Sequence, residues 1–115
     1  MTLSFVATEN APAAVGPYSQ AVTAGNTVYV SGQLGLVPGT GQFSGPDFDA
    51  QARQALSNMG AILEAAGCGI TDIASVDVYV VDLANFKAFN SIYDAFMGRH
   101  RPARAAVQVA ALPLG

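Results

Sequence analysis

Residues 48–81, FDAQARQALSNMGAILEAAGCGITDIASVDVYVV, decide the fold class, because the hydrophobic period changes inside them. Phe48, Ala52, Ala55, Leu56, Met59, Ile62, Leu63 and Ala66 recur at three- and four-residue steps, which is one face of a helix. Pro46 and Asp47 supply its start and Gly67 its stop. From Ile73 to Val81 the period falls to two. Ala74, Val76, Val78 and Val80 point one way and Ser75, Asp77 and Tyr79 the other, as in a strand with one covered face.

Toward the C-terminus, Asp82 can cap a second helix whose buried stripe is Phe86, Phe89, Tyr93 and Phe96. Pro102 then precedes a strand over 103–110, with Val107 and Val109 on one face. Toward the N-terminus, the β-prone runs 19–24 and 27–31 flank Gly25-Asn26, a two-residue hairpin signal because both residues tolerate positive φ. Leu34 to Val37, the turn Pro38-Gly39-Thr40-Gly41 and the return Gln42-Phe43 follow. The order is strands, helix, strand, helix, strand, which predicts one domain over residues 1–115 with a sheet of about four to six strands. Two helices cover one sheet face. The opposite face needs a cover too, and a second copy of the chain is the economical one, so a homo-oligomer is expected.

The 115 residues fit one compact domain. They are 51% hydrophobic and 11% charged, against a usual charged share of about 25%. That shortage also points to surface buried between copies. The net charge is −3, with only five Lys plus Arg, too few for the basic stripe of a nucleic-acid binder. Arg99, Arg101 and Arg104 cluster with His100, which favours a small anionic ligand at one spot. Cys68, the single cysteine, allows no internal disulfide and reads as a small residue in a turn. No secretory signal and no membrane-length apolar run is visible, and a reducing cytoplasmic location is expected.

Three features could carry chemistry. Arg104 opens a strand otherwise built of Ala and Val and shares a face with Ala106, Gln108 and Ala110. Its planar fork matches a carboxylate at two points, although a strand-end arginine can equally be exposed or paired with Asp or Glu. Asn90 lies near the apolar stripe of the second helix, where an amide either ties down backbone or faces a ligand. Gly16-Pro17-Tyr18-Ser19 and Ser31-Gly32-Gln33 place glycines and hydroxyls at strand ends, either as ordinary turns or as a backbone approach to an anion. His100 has no triad arrangement and reads as an exposed loop histidine. There is no metal-ligand spacing, no phosphate-cradling Gly-Lys-Ser motif and no close acidic pair.

Thr8-Glu9-Asn10-Ala11-Pro12-Ala13-Ala14-Val15-Gly16-Pro17-Tyr18-Ser19-Gln20 resembles the N-terminal signature of the Rid family (RidA/YjgF, reactive-intermediate deaminases). The likeness continues through Ser31-Gly32-Gln33, Gln51-Ala52-Arg53-Gln54, Glu64-Ala65-Ala66-Gly67, Val81-Asp82-Leu83, Asn90-Ser91-Ile92-Tyr93 and Arg101-Pro102-Ala103-Arg104. The resemblance implies a chorismate-mutase-like α+β fold, a mixed sheet with two helices on one face, and a homotrimer with three clefts between subunits. It implies hydrolysis of 2-aminoacrylate and related enamines or imines, intermediates that escape from pyridoxal-phosphate enzymes, to 2-keto acids and ammonia, with no cofactor. It further implies that Arg104 binds the substrate carboxylate while Tyr18, Ser31, Gly32 and Asn90 line the same cleft.

Two departures from the family pattern bear on these expectations. Relatives usually carry a water-activating glutamate in a final strand after the Leu-Pro segment. Residues 112–115, Leu-Pro-Leu-Gly, end before it, so the catalytic base stays unassigned, and a chain ending there is expected to bind carboxylates while hydrolysing poorly. Many deaminases also have a cysteine two positions after the arginine, where Ala106 stands in the cleft lining. Beside the deaminase stand two other readings: a non-catalytic or regulatory trimer binding 2-keto acids, and an RNA-directed translation inhibitor or endoribonuclease, which the charge disfavours. The expected partners are further copies of the chain and a small carboxylate-bearing imine, enamine or keto acid, not a membrane or a nucleic acid.

Overall fold

The computed structural model describes residues 2–115. Five strands, two helices and two 3₁₀ turns follow one another: β1 Leu3–Val6, β2 Ala21–Ala24, β3 Thr27–Val30, α1 Phe48–Ala65, a turn at Ile70–Asp72, β4 Ser75–Val80, a turn at Leu83–Asn85, α2 Phe86–Met97 and β5 Ala103–Gln108. The fold is α+β. Its strands pair both antiparallel, in the three-stranded sheet β1-β2-β3, and parallel, in the two-stranded sheet β4-β5. The chain divides into two compact units, Met1–Gly69 and Ile70–Gly115.

The first unit holds the antiparallel sheet β1-β2-β3 and α1. The Gly25-Asn26 hairpin forms as expected, with Ala24 paired to Thr27 and Gly25 at φ +60°. One sheet face supplies Val6, Ala21, Val28 and Val30, which pack around fully buried Ile62 of α1, with Ala11 and Ala61. On the other face Phe5, Val22 and Tyr29 lie in register across the three strands, and Phe5 and Tyr29 are exposed. The expected 34–37 and 42–43 strands shrink to one bridge, Leu36 to Phe43.

Two contacts hold that bridge segment to α1. The buried amide of Asn58 donates to the Leu34 and Leu36 carbonyls at 3.0 and 2.8 Å and accepts from Gln54 Nε2 at 2.8 Å. Gly35 approaches so closely that a Cβ there would lie 2.5 Å from both Cα and O of Gln51. α1 stops where Gly67 takes φ +82°. There the Gly67 amide donates to Glu64 O at 3.0 Å and the Cys68 amide to Leu63 O at 2.8 Å, a Schellman closure. Cys68 is thus a half-buried turn residue, as its sequence context implied.

In the second unit β4 and β5 run parallel, in register from Ser75–Ala103 to Val80–Gln108, and α2 is the crossover between them. The alternation of β4 is seen directly: Val78 and Val80 are buried while Ser75, Asp77 and Tyr79 are exposed. Asp82 caps differently from expectation. Its Oδ1 accepts from the Ala84 amide at 2.9 Å and so starts the 3₁₀ turn, and α2 begins only at Phe86. The buried stripe of α2 is Phe89, Ile92, Tyr93 and Met97. Phe86 and Phe96 are only half-buried, so the covered face is turned toward Ile92 and Met97 relative to the all-aromatic stripe.

Candidate functional site

Arg104 sits on the face of β5 that also carries Ala106 and Gln108, opposite Val76, Val78 and Val80 of β4. On this face Val78 and Val80 are buried, Ala106 is half-buried, and Arg104 and Gln108 are exposed. The guanidinium carbon lies 5.0 Å from the ring centre of Phe86 and 4.9 Å from that of Tyr93. Nη1 donates to Asn90 Oδ1 at 2.9 Å. Among the described residues no carboxylate pairs with Arg104; the ion pair found is Arg101 Nη2 to Asp94 Oδ1, at 2.6 Å and exposed. One of the alternatives open at this arginine, a structural salt bridge, is therefore not the arrangement seen.

Asn90 is exposed, not buried among the apolar residues of its helix, and its amide is turned to Arg104. Tyr93 is 8% exposed, and its hydroxyl has no hydrogen-bond partner among the described residues. Burial raises its phenol above the ordinary value near 10 and outweighs the positive charges of Arg104 and Arg101, which pull the other way. The basic cluster is thus divided in use. Arg101 is spent on Asp94 and on the carbonyls of Gly98 and His100. His100 is half-buried instead of free in a loop, because Nε2 lies 2.7 Å from the Ile73 carbonyl. A carbonyl only accepts, so Nε2 carries the hydrogen.

The remaining candidates belong to the first unit. The Tyr18 amide donates to Gly16 O at 2.8 Å, closing a three-residue turn that leaves the ring half exposed. Tyr18 lines an open cleft of about 420 Å³ with Phe5, Thr8, Glu9, Ala13 and Ser19. Ser31 spends its hydroxyl proton on the Ser19 carbonyl at 2.6 Å and its amide on the Gln20 carbonyl at 3.0 Å, which ties β3 to the Tyr18 segment. Gly32 is exposed, with room for a Cβ, so nothing nearby in the chain demands glycine there.

Sequence reasoning missed the part played by Gln20. Buried to 5% exposure, its amide nitrogen donates to the carbonyls of Thr8, Ala11 and Pro12, and its oxygen accepts from the Thr8 amide at 2.6 Å. It fixes the segment leading to Tyr18. A lone amide opening an apolar strand run was the available signal. Phe86 and Tyr93 were placed in the helix stripe, but not as the surface on which Arg104 rests. Among the described residues no cluster of His, Cys, Asp or Glu could hold a metal ion, and no helix is long and apolar enough to cross a membrane.

The fold and this arginine define an α+β protein with a cation on β5 that no described carboxylate neutralises. Residues 8–115 match the model of the family described as Endoribonuclease L-PSP. The chain is 48% identical, over 96% of its length and 80% of the relative's, to 2-iminobutanoate/2-iminopropanoate deaminase of Capra hircus. Among solved structures it is similar to RidA of the Antarctic bacterium Psychrobacter sp. PAMC 21119 (50% identity, TM-score 0.93, 97% of this chain and 90% of that one). It is also similar to Escherichia coli TdcF with bound serine (40% identity, TM-score 0.92, 96% and 89%). The chain belongs to this family, the Rid (RidA/YjgF) family.

Proposed function

We propose that the protein is an enamine/imine deaminase, hydrolysing 2-aminoacrylate-type intermediates to 2-keto acids and ammonia. The observation that carries the reading is Arg104: a guanidinium set on two aromatic rings, one donor given to a neutral amide, with no described carboxylate to cancel its charge. Its free fork is suited to the carboxylate of a small substrate. The names of the relatives supply the reaction class, and the serine bound to TdcF is a small molecule bearing a carboxylate.

The chemistry asks little more. The enamine tautomerises to an imine, and protonation of its nitrogen makes the carbon electrophilic. Water adds, and the carbinolamine collapses to the keto acid with loss of ammonia. Holding the carboxylate fixes the carbon relative to that water. Tyr18, Ser31, Gly32, Asn90 and Ala106 complete the proposed cleft, and the water-activating group is not assigned to a described residue.

The same reading makes the protein a cytoplasmic homotrimer with its clefts between subunits. Exposed Phe5 and Tyr29 on one sheet, and Tyr79 and Val107 on the other with Val81 just past β4, are the apolar surface that copies would cover. A trimeric mass by light scattering at micromolar concentration is expected, and a monomer would refute the shared cleft.

The deciding measurement is ammonia or keto-acid release from freshly generated 2-aminoacrylate. Acceleration above the spontaneous rate supports the deaminase. No acceleration with retained 2-oxobutyrate binding supports instead a metabolite-binding trimer. The family description favours a third, RNA-directed reading. Net charge −3 opposes it, and salt-dependent RNA binding would be its mark.

A further inference from the structure

A two-point grip on a carboxylate needs the guanidinium plane fixed as well as the charge present. One hydrogen bond to Asn90 leaves that plane free to rotate. The two rings remove the freedom, because Phe86 and Tyr93 stand seven residues apart on the same side of α2 and both lie about 5 Å from the guanidinium carbon. The rings are themselves held by buried Phe89, whose ring is nearly parallel to Phe86 (9°, centres 6.4 Å apart) and lies 5.6 Å from Tyr93. A carboxylate could hold the guanidinium equally firmly, but it would cancel the charge. The face of a neutral ring holds the cation and leaves its charge for a ligand.

We propose that Phe86 and Tyr93 are positioning residues for Arg104: they fix its guanidinium so that, with Nη1 spent on Asn90, the other N–H groups meet the substrate carboxylate as a fork. This deepens the reading of Arg104 as the carboxylate anchor and rests on it. Two observations stand behind the assignment. The half-exposed ring of Phe86 is not needed to fill the core as Phe89 is. The hydroxyl of Tyr93 makes no described hydrogen bond, so the ring is what acts on Arg104.

The test measures 2-oxobutyrate affinity by calorimetry for the wild-type chain and for Arg104→Ala, Phe86→Leu, Tyr93→Leu and Tyr93→Phe, each checked for unchanged oligomeric mass. The Arg104 side-chain N–H signals are followed by NMR as a report on guanidinium rotation. Phe86→Leu and Tyr93→Leu are expected to weaken binding about three- to tenfold each and to average the N–H signals. Tyr93→Phe should recover most of what Tyr93→Leu loses. If Tyr93→Leu does not fold, half-buried Phe86 carries the test alone. Normal binding by Phe86→Leu beside a defective Arg104→Ala overturns the positioning role. A loss in Tyr93→Phe equal to that in Tyr93→Leu does the same, by giving the work to the hydroxyl. Normal binding by Arg104→Ala sinks the anchor reading itself, a separate result.

Discussion

Nη1 of Arg104 donates to Oδ1 of Asn90 at 2.9 Å, so the cation on β5 is steadied by a group that carries no charge. An amide and a carboxylate have nearly the same shape, and the choice between them decides whether the arginine is left open to an anion. Asn90→Asp would place a negative charge at hydrogen-bond distance and close a salt bridge. The expected outcome is a fall of about tenfold or more in 2-oxobutyrate affinity by calorimetry, larger than that of Asn90→Ala, which loses one bond without adding a competitor. Equal affinities for the two variants would count against a free guanidinium.

Arg104→Ala should reduce affinity for the same keto acid by about ten- to a hundredfold, because a charge-assisted pair is worth roughly 1.5–3 kcal/mol. A folded variant that binds normally removes Arg104 from the site.

Gly35→Ala forces a methyl group to 2.5 Å from the backbone of Gln51, which cannot swing away as a side-chain tip could. A stability loss of about 1–3 kcal/mol is expected in urea denaturation. Gly32→Ala is the matched control, since its Cβ meets nothing within 4 Å, and its stability should stay within about 0.5 kcal/mol of wild type.

Asn58→Ala strips two donors from the Leu34 and Leu36 carbonyls and orphans a Gln54 contact, all beside a residue 1% exposed. Thermal unfolding should show a loss of about 2–4 kcal/mol. Faster hydrogen exchange is expected in the 34–44 segment, including the Val37 and Ser44 amides.

Burial keeps the Tyr93 phenol protonated beyond its ordinary value near 10 in the folded chain. The unfolded chain gives up that proton more readily. This contribution to stability is therefore whole below about pH 10 and is lost as pH rises through the higher folded value. Denaturant titrations should show a decline in that window that is shallower in Tyr93→Phe. An equal decline in both proteins would refute the assignment.

Much of the architecture was legible because period reports burial. The face from Phe48 to Ala66 gave α1 to within a residue, the alternation around Val78 gave β4, and Gly25-Asn26 gave the hairpin. β1 was not read: β2 and β3 are as short as Leu3–Val6, but they were marked by the Gly25-Asn26 turn between them, and no such turn signal adjoins β1. Asp82 misled because a 3₁₀ turn running directly into a helix presents the same capping signal one turn early. Arg104 and Asn90 each stood out by type. The resemblance put both in one cleft, but residue spacing alone could not, because Asn90 lies on α2 and Arg104 on β5, fourteen residues apart. The seat of Phe86 and Tyr93 was hidden by the usual meaning of aromatics at helical spacing, which is core.

The parallel pairing of β4 with β5 can also be read as a ruler. Six partners, from Ser75–Ala103 to Val80–Gln108, set which way every side chain of β5 turns. A slip of one residue would carry Arg104 through the sheet to the opposite side, away from Asn90 and both rings. The grip on a ligand is therefore written in the spacing of the valines that anchor the ladder. A change at Val78 or Val80 that let the ladder slide would silence the site while leaving each of its residues in the sequence.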